Sequence, residues 1–174
     1  LSNYYIESKN IQNLKNEIFK NPSKDHQQIT NLIDKFSGQV SGESIIEKNQ
    51  VEIKEIFEQE NIEEILNKTY SLSQNGSEFS KNTEHELKGK SPTSLKITFK
   101  QIHMATEMSL RDALIMEYRM VQRCQASGDF YEGVRAMLVD KDRNPQWKPS
   151  NLDKVDEIWV NHFFEPLHEK DLKI

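Results

Sequence analysis

Apolar residues recur along this chain at helical spacing, segment after segment, and strict alternation is absent. Ile11, Leu14, Ile18 and Phe19 fall on one face behind Ser8, and Ile29, Leu32, Ile33 and Phe36 on one face behind Ser23. A serine hydroxyl accepts a free N–H at a helix start, so both serines are expected caps. The stretch 37–42, small and polar with two glycines, predicts a loop. Val51, Ile53, Ile56 and Phe57 predict a short helix, and Asn61 is placed to cap another bearing Ile62, Ile65, Leu66 and Thr69. The run 71–78 breaks that helix at Gly76. Residues 79–90 are nearly polar all round and make the poorest helix of the chain.

The second half is better punctuated. Ser91-Pro92 marks a start, because proline in a first turn loses no hydrogen bond. Leu95, Thr98, Phe99, Ile102 and Ala105 then form a stripe expected to be buried. Ser109 to Asp112 resembles a capping box, and the helix behind it should reach about Ala126 with Leu110, Ala113, Leu114, Glu117, Val121 and Cys124 inward. Asp129 to Glu132 reads as a second box, opening a helix to about Val139. Leu114, Val121 and Cys124 are then expected to meet Val134, Met137 and Leu138. Pro145 and Pro149 hold an extended exit, with Trp147 between them as a plug. A last helix over about 152–164, with Val155, Ile158, Trp159, His162 and Phe163, should stop at Pro166. The fold class predicted for the chain taken alone is all-α.

Composition narrows this picture. With 35% hydrophobic and 29% charged residues, the chain is hydrophilic for a compact domain and suits a thin helical layer over something else. No apolar run approaches the roughly 18–20 residues of a membrane span, so no membrane partner is expected. The single cysteine, Cys124, rules out an internal disulfide. A net charge of −5 argues against a nucleic-acid surface. All the arginines lie between Arg111 and Arg143, the region where planar contacts to carboxylate or phosphate are expected.

Candidate chemistry is sparse. Glu117, on a stripe read as apolar, is either a general acid or base or, the reading preferred here, a buried ion-pair partner of an arginine such as Arg135 or Arg123, since an unpaired buried carboxylate is costly. Gly133 inside a helix costs roughly 1 kcal/mol against alanine and implies close packing. The five histidines show no metal-ligand spacing, so no metal site is expected.

Several words of the sequence resemble one family. Met116-Glu117-Tyr118-Arg119, Asp129 through Ala136, Asp140-Lys141-Asp142, Pro145 through Pro149 and the closing Asp171-Leu172-Lys173-Ile174 are similar to the 3-hydroxyisobutyryl-CoA hydrolases, a branch of the enoyl-CoA hydratase/isomerase (crotonase) superfamily. Ser91 through Thr98 matches the same pattern. The resemblance covers nearly the whole chain but only the C-terminal half of such an enzyme. It implies the C-terminal helical part of an α/β crotonase-like fold whose core is absent here. Residues 1–90 would be a helical segment following that core, and 91–174 a region covering the acyl-CoA site.

The resemblance further implies acyl-CoA thioester hydrolysis in valine catabolism, in the mitochondrial matrix. The catalytic groups would lie in the N-terminal core, so no catalytic residue is assigned here. Arg135 and Lys141 are the candidates for contact with coenzyme A, which enters as part of the substrate; no separate cofactor is implied. Expected partners are the N-terminal crotonase core and the acyl-CoA, with room for an oligomer. The alternative is a non-catalytic accessory subunit of a mitochondrial ribosome built on the same fold, the one setting in which nucleic acid would be a neighbour.

Overall fold

A computed structural model describes residues 3–23, 25–39, 42 and 44–174, all helix, turn and loop with no strand among them. The chain divides into two compact units, Leu1–Lys48 and Asn49–Ile174.

In the first unit α1 (Ser8–Lys20) packs against α2 (His26–Phe36), and α3 (Ile45–Lys48) is a single turn. Both expected caps are displaced by one or two residues. Ser8 lies inside α1, whose N-cap is Glu7, without a side-chain bond. Asp25 caps α2 by accepting from Gln27 N at 2.9 Å, and Ser23 Oγ instead accepts from Asp25 N at 3.0 Å. A carboxylate caps as well as a hydroxyl and adds a favourable charge at the N-terminus. Ser37, Gly38 and Gln39 are loop, as expected, and Gly38 N donates to Tyr5 O at 2.9 Å. Val40 and Ser41 of the predicted loop lie outside the described residues.

The second unit contains α4 (Gln50–Phe57), α5 (Ile62–Gln74), α6 (Glu78–Lys88), α7 (Pro92–Ala105), α8 (Leu110–Ala126), α9 (Asp129–Val134) and α10 (Glu157–His162). Asn61 caps α5 through Glu64 N at 2.8 Å. Gly76, at φ +94°, turns the chain after α5 in a conformation that favours glycine.

The polar stretch after it is a full helix. Ser77 caps α6 by accepting from Ser80 N at 3.1 Å. The hydroxyls of Ser77 and the fully buried Ser80 both donate to Glu52 Oε1 on α4. Phe79 and Leu87 pack on Ile56, Ile62 and Ile65. Two apolar residues and a buried serine replace the continuous stripe whose absence made this helix look poor.

α7 is central because it serves two cores. Ile97 joins Met116, Met120, Val155, Val160 and Phe163; Leu95 and Phe99 join the cluster of Ile56, Ile62 and Ile65. The second cluster joins helices from both sides of the line drawn at 90/91, and the compact units divide at 48/49.

The inward faces of α7 and α8 are rotated from expectation. On α7 the buried residues are Pro92, Thr93 and Ile97, whereas Ile102 is 61% exposed. On α8 they are Met116 and Met120, with Cys124 half-buried, while Leu110 is 78% exposed and Leu114 and Val121 are also open. Glu117 is exposed, and its Oε1 accepts from Gln101 Nε2 at 3.1 Å, with no ion pair to an arginine among the described residues. The expected buried ion pair is not formed. The helices select the face that meets the C-terminal segment, where Phe163 is 1% exposed and Arg119 clasps Asp171.

Asp129 does not cap α9. Gly128, at φ +90°, is the N-cap, and Asp129 is the first helical residue. Six residues later the helix widens into a π turn, Arg135–Val139. Met137 and Leu138 are exposed, as are Leu114 and Val121, so these four do not form the buried seam expected between the two helices. The predicted last helix is two pieces, a 3₁₀ turn Leu152–Lys154 and then α10, capped by Asp156 through Trp159 N at 2.7 Å.

Candidate functional site

Helices α5 and α7 converge with the start of α9 on an apolar groove of about 710 Å³. It is lined by Ile62 and Ile65 of α5, by Leu95, Phe99 and Ile102 of α7, and by Phe130 and Trp147. Trp147 is fixed there, as the plug reading anticipated. Its Nε1 donates to Gly89 O at 3.1 Å, and its ring lies 3.4 Å from where a Cβ on Gly133 would sit. The indole therefore packs directly on the helix at Gly133, at a distance a Cβ would just meet.

Most of the polar groups named around the groove are tied to the protein itself, Thr93 being the exception. Ser91 Oγ accepts from Ser94 N and donates to Asp129 Oδ2 at 2.6 Å. Asp129 Oδ1 accepts from Lys148 N at 3.1 Å. Ser127 Oγ donates to Cys124 O at 2.8 Å, and the Lys90 ammonium at the rim pairs with Glu86 at 2.9 Å. Thr93 Oγ1 is buried without a partner. Burial, and next the Asp129 carboxylate, push the Cys124 thiol up, so the thiolate nucleophile is disfavoured.

The second feature is the turn after α9, which holds both sequence candidates. Arg135 Nε and Nη2 donate to the two oxygens of Glu132, each at 2.8 Å, and Nη1 donates to Asp140 at 2.6 Å and Asp142 at 2.7 Å. Nη2 also reaches Asn144 O at 3.2 Å. Glu132 accepts from Gln146 N at 2.5 Å as well. The Arg135 guanidinium, and then this N–H, hold the Glu132 carboxyl down at about 2. Arg135 is raised in turn by Glu132, Asp142 and Asp140, and Asp142 is lowered chiefly by Arg135.

Counted as formal charges, one arginine and three carboxylates leave this cluster negative, and the guanidinium has its donors committed. Arg135 thus organises the 140–146 loop. Lys141 sits in the same loop at φ +57°, exposed and with no ion pair among the described residues. The two candidates are near in sequence but differ in availability.

Sequence reasoning missed two constellations. Arg119 grips Asp171 through Nε at 2.8 Å and Nη2 at 2.5 Å, and this arginine pulls the Asp171 carboxyl below its ordinary range. Both residues lay within words carrying the family resemblance, which was the available signal. The Ser91–Asp129–Lys148 tie had no signal beyond the cap serine itself. No group of three or more histidine, cysteine, aspartate or glutamate side chains is arranged to hold a metal among the described residues.

A fold of this kind has known counterparts. The family model for enoyl-CoA hydratase/isomerase matches residues 1–164, and the chain belongs to that family. It is 37% identical over 180 residues to the mitochondrial 3-hydroxyisobutyryl-CoA hydrolase of Gallus gallus, covering 100% of this chain and 46% of that protein. The Homo sapiens protein of the same name is 34% identical over 179 residues, covering 99% of this chain and 45% of its own length. Among solved structures, a carnitinyl-CoA dehydratase from Mycobacterium thermoresistibile superposes with a TM-score of 0.80 at 22% identity, over 99% of this chain and 46% of that one. An enoyl-CoA hydratase from Rhodobacter sphaeroides 2.4.1 gives 0.78 at 22% identity, over 99% and 47%. The chain thus spans slightly under half of the relatives it matches. It is the all-α part of a crotonase-type fold.

Proposed function

We propose that this chain is the C-terminal helical half of a protein that hydrolyses 3-hydroxyisobutyryl-CoA in the mitochondrial matrix, a step of valine catabolism. Water adds its oxygen to the thioester carbonyl, the carbon–sulfur bond breaks, and 3-hydroxyisobutyrate and coenzyme A leave. The observation that carries this reading is the collinear similarity of the entire chain to 3-hydroxyisobutyryl-CoA hydrolases, at 37% and 34% identity in the chicken and human proteins. The groups that polarise the carbonyl and activate water would lie in the other, N-terminal half, in keeping with a groove whose carboxylate, Asp129, is bonded to Ser91 and Lys148 N.

Lys141 is the better placed of the two coenzyme A candidates. Its ammonium is exposed and unpaired among the described residues, whereas Arg135 is enclosed by Glu132, Asp140 and Asp142. A lysine meets phosphate as a mobile point charge and needs no fixed fork.

The test is release of free thiol from 3-hydroxyisobutyryl-CoA. A polypeptide carrying both halves should turn the thioester over, and the 174-residue chain alone should not exceed a heat-killed control. Lys141→Gln in the two-half protein should raise KM with kcat little changed. An inert two-half protein, or an active isolated chain, overturns the reading.

A further inference from the structure

Residues 140–143 read Asp-Lys-Asp-Arg, acid and base in alternation, and the fold sorts them by charge. Both aspartates turn onto Arg135 Nη1, Asp140 at 2.6 Å and Asp142 at 2.7 Å. Lys141 and Arg143 are exposed, with no ion pair among the described residues.

The sorting has a conformational cost. Lys141 lies at φ +57° and Arg143 at φ +54°, the left-handed region that residues with a Cβ rarely adopt. Neither is a glycine, asparagine or aspartate, the types that visit it most readily. Residues held there persist only where their surroundings over-determine the backbone, and they gather where a site needs a fixed geometry.

Arg135 supplies those surroundings. An arginine has five N–H donors. Here Nε and Nη2 hold the two oxygens of Glu132 on α9, Nη1 holds Asp140 and Asp142, and Nη2 also reaches Asn144 O. The guanidinium thus ties the loop to its helix and has no donor left for a ligand. Asp142 Oδ1 accepts from Asn144 N at 2.9 Å, and Arg143 N donates to Ala136 O at 3.1 Å, which closes the loop on the π turn.

The same bonds decide what Lys141 can meet. An aspartate precedes it and another follows it. A carboxylate released at either position would compete for the ammonium and repel an approaching anion. We infer that Arg135 is a positioning residue for Lys141: without touching coenzyme A, it shapes the 140–143 loop and withholds both aspartates, leaving the Lys141 ammonium to meet a coenzyme A phosphate. This deepens the proposed function by saying how its phosphate contact is built, and it rests on that reading for Lys141 being such a contact.

The experiment reads the binding of free coenzyme A to the two-half protein by titration calorimetry. Wild type, Arg135→Lys, Lys141→Gln and the double variant form a closed cycle. Arg135→Lys keeps the charge and loses the fork. It should weaken coenzyme A roughly tenfold, the size of one hydrogen bond to a charged group. The double variant should bind no more weakly than Lys141→Gln alone, because an arginine that acts through Lys141 then has nothing to act through. A general loosening of the fold would lower the binding-competent fraction in both backgrounds alike, and the losses would add. Asp142→Asn is the second variant, for use if Arg135→Lys does not fold. It should weaken binding by a smaller factor that vanishes in the Lys141→Gln background.

Additive losses, or wild-type affinity in Arg135→Lys, overturn the inference and leave Lys141 as a contact. Wild-type affinity in Lys141→Gln, or no binding by the wild type, removes that contact and the inference with it. Thioester turnover is followed on the same samples. Coupled loss of binding in a protein that turns over no thioester sinks the hydrolase reading and leaves Arg135 in its positioning role.

Discussion

Ser91 donates a 2.6 Å hydrogen bond to Asp129, 38 residues away, and both are buried. The bond ties the first turn of α7 to the first turn of α9. The other Asp129 oxygen accepts from Lys148 N, so a single carboxylate fixes two helix starts and the extended segment that carries Trp147. The capping serine of α7 and the segment that carries Trp147 are both held by one side chain.

Asp129→Ala should therefore lower stability by about 1.5–3 kcal/mol, because it strands a buried hydroxyl and a backbone N–H at once. Asp129→Asn, which keeps an acceptor, should lose less. Urea denaturation followed by circular dichroism distinguishes the two, and equal midpoints for Asp129→Ala and wild type would remove the tie from this account.

On α8, two substitutions separate the observed inward face from the one the hydrophobic pattern suggested. Met120 is buried in the main core, so Met120→Ala should cost about 2–5 kcal/mol. Glu117 is exposed and, among the described residues, bonded to Gln101 alone, so Glu117→Gln should change stability by no more than about 0.5 kcal/mol. A large loss at Glu117 with a small one at Met120 would restore the buried-carboxylate reading.

That contrast shows what the pattern reveals and what it leaves open. The helix starts at Asn61, Ser91 and Ser109 were legible because each depends on a bond within three residues. The plug at Trp147 and its packing on Gly133 were legible because a tryptophan between prolines and a glycine inside a helix are residue types that usually mark close packing. Which face of α8 turns inward depends on Phe163 and Asp171, more than forty residues on, and no local period encodes that choice. Leu110, Leu114 and Val121 were read as core and are open here. Arg135 was a candidate for coenzyme A contact on the family resemblance, and nothing local in the sequence said that Glu132, Asp140 and Asp142 would all hold its guanidinium.

The Arg135 cluster makes a pH prediction. Glu132 is held at about 2, below its ordinary 4.5, by Arg135 and by Gln146 N. A carboxyl depressed on folding stabilises fully above its ordinary value, and the stabilisation is lost as pH falls through the folded value. The difference in urea midpoint between wild type and Glu132→Gln should thus be constant near neutral pH and close between pH 4.5 and about 2. A gap that widens as the solution is acidified would contradict the assignment.

Gly133 gives the sharpest geometric prediction. An added Cβ would lie 3.4 Å from Trp147 Cη2, at the inner edge of ordinary contact. Alanine should fit, and the roughly 1 kcal/mol by which it favours helix over glycine should offset any loss from the tighter contact. Gly133→Ala is therefore expected to be neutral or slightly stabilising. Leucine extends well beyond Cβ into the space of the indole, which is held on its other side by the bond to Gly89 O. Gly133→Leu must break that bond or displace the helix, and overpacking of this kind costs about 1–3 kcal/mol. In a Trp159→Phe background the remaining indole reports directly. Its emission should stay unchanged in Gly133→Ala and shift to the red in Gly133→Leu as the ring leaves its seat. An unchanged spectrum in Gly133→Leu, at unchanged stability, would show that Trp147 does not rest on this glycine.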